Sequence, residues 1–194
     1  WGGLVPQPGA GNPPPINPTY TVLDDGARFD PDFSGWTAMG GTPPSARGRS
    51  ASVWTGDEML VVGGFDGMDW IDPGTDPTAF SSYDPVTDAW NTSRPQPPAG
   101  GPMSPPFEAP VAVWTGESLW VAQPASGRLV ARFSAGAWTQ PAAPPAAGDR
   151  RYESLVWTGR RLVLWGGISG MPGMETVRGD GLIYDTVGAA WSMI

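Results

Sequence analysis

The apolar positions of this chain fall into short runs that recur in a fixed order. "SASVWTGDEMLVVGG" at 50–64, "PVAVWTGESLWVAQP" at 110–124 and "ESLVWTGRRLVLWGG" at 153–167 share one pattern: apolar run, Trp-Thr-Gly, polar pair, apolar run. Aligned on Val53, Val113 and Val156, the copies stand 60 and 43 residues apart, a repeat with insertions of variable length. The runs are too short and too punctuated by glycine for helices. Their β-branched and aromatic content predicts a β-hairpin in each copy, turning at Gly56, Gly116 and Gly159. The second run ends in Gly63-Gly64 and in Gly166-Gly167, whereas Gln123-Pro124 stand there in the middle copy. The chain itself opens Trp1-Gly2-Gly3, as though entered at the same point.

A second pattern follows each hairpin. Tyr83 and Trp90, Tyr184 and Trp191, and Phe29 and Trp36 are each separated by six residues, and Phe133 and Trp138 by four. Each unit therefore reads as four strands, a to d: a and b around the Thr-Gly turn, c ending in an aromatic, d carrying a tryptophan. Three units are complete, at 49–93, 108–140 and 150–194, while 1–39 supplies only the glycine end of b, then c and d. A four-stranded sheet of this size cannot bury both faces alone, so the units must stack. The recurring Trp54, Trp114 and Trp157 and the c–d aromatics are expected in packing between units.

Taken in order, "VWTG", "LVVGG" and "YDPVTDAW" resemble the kelch repeat of β-propellers, over about residues 26–194, and their wording is similar to the kelch proteins of bacteria, many of them exported. The resemblance implies an all-β fold, a kelch-type β-propeller segment of three complete four-stranded blades plus part of a fourth. Because propellers close with about four to eight blades, it also implies a longer ring, or else an oligomer in which two chains share one. An extracellular or cell-surface location follows from the same likeness. The middle unit departs from the pattern at Gln123-Pro124 and in the short turn after Phe133. Copper oxidation of the galactose-oxidase type, found on kelch-like propellers, does not carry across, because no His or Cys is present to ligate the metal.

Composition narrows the chemistry further. The 28 glycines and 24 prolines would suit a disordered chain, but eleven tryptophans argue for many short strands joined by tight turns. Cys, His and Lys are all missing, which removes Cys/His zinc sites, Ser-His-Asp and Cys-His nucleophiles, Schiff-base lysines and the phosphate-loop lysine. Carboxylate chemistry, oxygen-ligated metals such as calcium, and binding remain. With a net charge of −8 and no basic stripe, nucleic acid is not an expected partner. No run approaches the ~18 apolar residues of a membrane span. The opening at Trp1 carries no charged, apolar leader, so a signal peptide is expected to have been removed or to lie outside this sequence.

In an up-and-down sheet the a–b and c–d turns share one face, and here they are tight. The opposite face collects the long connections, 4–25, 65–77, 94–107, 141–149 and 168–179, and long loops on a rigid scaffold carry binding. "FDGMDWIDPGTDP" places Asp66, Asp69, Asp72 and Asp76 around Trp70. Asp66, Asp69 and Asp72 could hold calcium, and the ring with the acids could grip a sugar; turn chemistry of Asp beside Gly and Pro explains the same residues and is favoured. A glycosidase would need two carboxyls at a defined separation, which one loop rarely provides. Arg47 and Arg150 occupy equivalent positions before strand a and are expected to satisfy backbone carbonyls between blades. Arg94 and Arg178 are not repeated and are the candidates for anion or partner contact. The expected function is non-catalytic binding of a protein or glycan through the long-loop face, with no cofactor unless that loop takes calcium. The alternatives are a carbohydrate-active enzyme using loop carboxylates and a structural subunit of an extracellular assembly.

Overall fold

The computed structural model describes residues 1–6, 20–64, 80–97, 110–123, 129–142, 150, 152–170 and 173–194. The fold is all-β. β1 (Gly3–Pro6) pairs with β2 (Tyr20–Leu23), and β3 (Ala27–Asp30) with β4 (Gly35–Ala38). β5 (Ala51–Trp54), β6 (Met59–Val62), β7 (Phe80–Asp84) and β8 (Ala89–Asn91) form a four-stranded antiparallel sheet in chain order, sheet A. β9 (Val111–Trp114), β10 (Leu119–Gln123), β11 (Leu129–Ser134) and β12 (Ala137–Thr139) form sheet B in the same way. Sheet C joins β13 (Ser154–Trp157), β14 (Arg161–Trp165), β17 (Gly181–Asp185) and β18 (Ala190–Met193). Its b–c connection rises into a separate two-stranded hairpin, β15 (Ile168–Ser169) with β16 (Thr176–Val177). Among the described residues no helix is long and apolar enough to cross a membrane.

The repeated Trp-Thr-Gly is a register device. In all three hairpins the threonine N–H donates to the carbonyl three residues on, Glu58, Ser118 and Arg161, each at 3.0 Å. The threonine hydroxyl donates to that same carbonyl and accepts from the N–H of the same residue, at 3.0–3.2 Å. The glycine that follows has φ of +113°, +95° and +90°, the first central position of a two-residue turn, which needs the left-handed half of φ space. At the c–d turns an aspartate does the corresponding work. Asp30, Asp84 and Asp185 each accept two backbone N–H bonds from the residues two and three further on. Sheet B lacks that aspartate and turns instead on Ala135 and Gly136, both at positive φ.

With register set, β10 shows why the sheets must stack. Leu119 and Val121 pack into a cluster with Leu60, Val62, Phe80 and Phe133 toward sheet A. Trp120 and Ala122, one residue out of phase, pack with Leu162, Leu164, Leu182 and Tyr184 toward sheet C. Period-two alternation thus loads both faces of sheet B with apolar side chains. The c–d aromatics are first of all cross-strand partners: Phe29/Trp36, Tyr83/Trp90, Phe133/Trp138 and Tyr184/Trp191 are in register with centroids 4.9–5.2 Å apart. They also reach the neighbouring unit, Phe133 to Phe80 at 4.9 Å and Tyr184 to Trp120 at 5.4 Å. The d-strand tryptophans fasten the preceding connection, Trp138 donating to Pro95 O and Trp191 to Ala142 O, both at 2.7 Å.

The opening Trp1-Gly2-Gly3 occupies the place of Trp165-Gly166-Gly167: Gly2 N donates to Asp25 O at 2.8 Å, as Gly166 N does to Asp180 O at 3.0 Å. β1–β2 and β3–β4 therefore match β15–β16 and β17–β18, without counterparts of β13 and β14. The consequence is visible in burial. Phe29 is 50% exposed where Tyr83, Phe133 and Tyr184 are buried, and Trp54 is 53% exposed where Trp114 and Trp157 pack against a preceding sheet. Trp54 thus departs from the expected packing role because the unit before it has no a strand. At the other end Val156 and Trp165 face outward from sheet C, also about half exposed.

One polar network ties β3–β4 to sheet A. Arg28 donates to Pro85 O at 2.7 Å, lies 3.4 Å from Asp88 Oδ1 and sits over the Tyr83 ring at 5.9 Å. The Tyr83 hydroxyl donates to Asp88, which also accepts from Gly40 N at 2.9 Å. Burial, together with that hydrogen bond, pushes the Tyr83 phenol from 10.0 up to about 12. The neutral phenol is thus the form the fold favours, so its contribution is complete below pH 10 and lost as pH rises toward 12. Thermal melts across this range should show an alkaline loss of stability that is smaller in Tyr83→Phe. Gly116→Ala should cost about 1–2 kcal/mol by denaturant titration, although nothing lies within 4 Å of the added methyl, because φ alone opposes it.

Candidate functional site

Arg47 and Arg150 are the best-buried charges of the described residues and act alike. Arg47 donates to Gly63 O at 3.0 Å and Arg150 to Gly166 O at 2.6 Å, in each case the first carbonyl of the double glycine that ends strand b. They satisfy backbone carbonyls as expected, and the carbonyls at Gly63 and Gly166 belong to their own units. Position 107, which corresponds to Arg47 and Arg150, is Phe, and position 123, which corresponds to Gly63 and Gly166, is Gln.

In sheet C this pin widens into a cluster at the foot of the β15–β16 hairpin. Arg150 also donates to Asp180 O at 2.8 Å and pairs with Asp180 Oδ2 at 3.0 Å, while Arg178 grips both carboxylate oxygens at 3.1 and 2.9 Å. Burial works upward on the Asp180 carboxyl, but the hydrogen bonds and charges of Arg178 and Arg150 outweigh it and hold the pKa below 3.8. The ionised form is favoured by the fold, so its stabilisation is present above pH 3.8 and fades as pH falls through the lowered folded value. Nearby Glu153 is buried, and desolvation pushes its pKa up against the opposing charge of Arg150. Arg178, a candidate for partner contact, is therefore engaged within the chain, its backbone N–H also bonded to Gly167 O at 2.8 Å.

Arg94, the other candidate, leaves strand d at the long-loop end, and its side chain runs back between sheets A and B. It lies over Phe80 at 5.5 Å, donates from Nε to Ser82 Oγ at 2.8 Å and ion-pairs with Glu58. Asp66, Asp69, Trp70, Asp72 and Asp76 lie outside the described residues. Among the described residues no three acidic side chains are grouped to hold a metal ion.

Two clefts of nearly equal size open where the tight turns of neighbouring sheets meet. One, about 750 Å3, lies between sheets A and B and includes Trp54, Glu58, Asp84, Arg94, Trp114 and Phe133. The other, about 760 Å3, lies between sheets B and C and includes Glu117, Ser118, Arg132, Gln140, Trp157 and Arg160. These clefts lie on the face opposite the long connections, and the sequence reading did not single them out. The signal that could have found them was the variation at the polar pair after Trp-Thr-Gly, Asp-Glu, Glu-Ser and Arg-Arg, inside an otherwise constant turn. No family model matches the chain, and no curated protein matches it either.

Arg150→Met should destabilise the protein by about 1–3 kcal/mol in a denaturant titration, since it takes the side-chain donor away from the Gly166 carbonyl. In Asp180→Asn the acid limb of a pH-dependent melt should be shallower than in the native chain.

Proposed function

We propose that the chain is part of a kelch-type β-propeller and serves as a non-catalytic binding module of an exported or cell-surface protein. Its ligand, a protein or a glycan, is contacted through the long b–c and d–a connections. The radial arrangement is supported by the first strands: β9 runs beside both β5 and β13, so the a strands converge while each sheet extends away from them. The uncovered faces at Phe29 and Trp54 and at Val156 and Trp165 are where further blades, from a longer chain or a second copy, would pack.

The binding role rests on the b–c connection of sheet C. It is a built hairpin with a fixed base and exposed apolar side chains: Arg150, Asp180 and Arg178 lock the foot, while Met174 near the turn and Val177 beside the foot are about four-fifths exposed. A rigid stalk that spends apolar side chains on solvent is the form of a contact surface.

A glycan array and a panel of extracellular proteins, probed with the purified chain, test this. Binding that survives Asp69→Asn but is lost in Trp70→Ala or Val177→Glu supports the reading. Turnover of a saccharide abolished by Asp69→Asn would replace it with a carbohydrate-active enzyme.

A further inference from the structure

The two clefts on the tight-turn face are built from the same positions with the roles exchanged. In sheet A, Glu58 stands just before β6 and Ser82 pairs in register with Leu60. In sheet B the corresponding residues are Ser118, just before β10, and Arg132, paired with Trp120. Both clefts hold one guanidinium fixed in the same manner. Arg94 lies over Phe80 at 5.5 Å with its Nε on Ser82 Oγ at 2.8 Å, and Arg132 lies over Trp120 at 5.6 Å with its Nε on Ser118 Oγ at 3.0 Å.

The difference is the counter-ion. Arg94 is neutralised by Glu58. At Arg132 the glutamate position is Ser118, and no described residue brings a carboxylate to the guanidinium. A planar guanidinium with Nε tied down and its ring face covered leaves its two terminal amino groups as a fork for a carboxylate. Arg160, at the same cleft, adds positive charge with only a 3.9 Å approach to Asp185.

We propose that the cleft between sheets B and C is a binding site for a glutamate side chain of a peptide ligand, whose carboxylate takes at Arg132 the place that Glu58 takes at Arg94. A glutamate is favoured over other carboxylates because the neighbouring cleft already holds one against an arginine of the same environment. The site lies on the face opposite the long connections and stands independently of the function proposed above.

The probe is an end-blocked Gly-Glu-Gly peptide, titrated calorimetrically into the full chain at low salt, with Gly-Gln-Gly and glucuronate as comparisons. The glutamyl peptide should bind at one site per chain, and Arg132→Gln should weaken it about tenfold or more. Ser118→Glu, which supplies the carboxylate internally and keeps the arginine, should abolish binding with the fold intact by circular dichroism. Glu58→Ser should free Arg94 and raise the stoichiometry to two. No binding of the glutamyl peptide, equal binding of the glutaminyl peptide, or binding unchanged in both Arg132→Gln and Ser118→Glu would overturn the proposal. Tighter binding of glucuronate than of the glutamyl peptide would overturn the peptide assignment in favour of an acidic saccharide.

Discussion

A sheet four short strands wide with apolar side chains on both faces is stable only when each face meets a neighbour, and the arrangement of this chain follows from that requirement. β10 carries it most openly, with Leu119 and Val121 committed to sheet A and Trp120 and Ala122 to sheet C. A slip of one residue would exchange the two sets and empty both clusters. Register is therefore under strong demand, which accounts for hairpins closed by a threonine bonded three ways and by a glycine whose φ few other residues adopt.

Arginine is the polar counterpart of that packing. Among the described residues, each junction between neighbouring units has a guanidinium over an aromatic ring: Arg28 on Tyr83, Arg94 on Phe80 and Arg132 on Trp120. Arg47 and Arg150 do different work, closing the carbonyls exposed where strand b breaks at its glycines. A flat, delocalised cation with several donors suits stacking and forked hydrogen bonding alike, and a compact ammonium suits neither. The absence of lysine from the chain is consistent with a scaffold whose buried cations all need that geometry.

What could be read from the sequence was whatever repeats. The hairpins at Gly56, Gly116 and Gly159, the c–d aromatic pairs and the structural arginines 47 and 150 are local or periodic features, and each stands in the structure where the spacing put it. The site was harder to read, because its elements do not repeat. Arg94 looked unattached, since nothing in the sequence brings it to Glu58, 36 residues earlier and across the width of a sheet. Arg178 looked available for the same reason, although the aspartate that holds it is only two residues away. The correspondence of Arg132 and Ser118 with Ser82 and Glu58 is likewise invisible in the sequence, because it emerges only when strand register aligns the two sheets.

The half-exposed Phe29 at one end and Val156 and Trp165 at the other leave sheets A and B as the inner sheets, sheet A with Val61, Ser81 and Tyr83 buried on the side of β3–β4 and sheet B covered by sheets A and C. In a stack bound by nearest-neighbour contacts, opening an end sheet breaks one interface while opening an inner sheet breaks two. Amide hydrogens of β6 and β10 are thus placed to exchange last and those of β3 and β18 first. The unit with the most irregular sequence, lacking the arginine, the double glycine and the long c–d turn, is thus one of the two whose opening would disrupt a neighbour on either side.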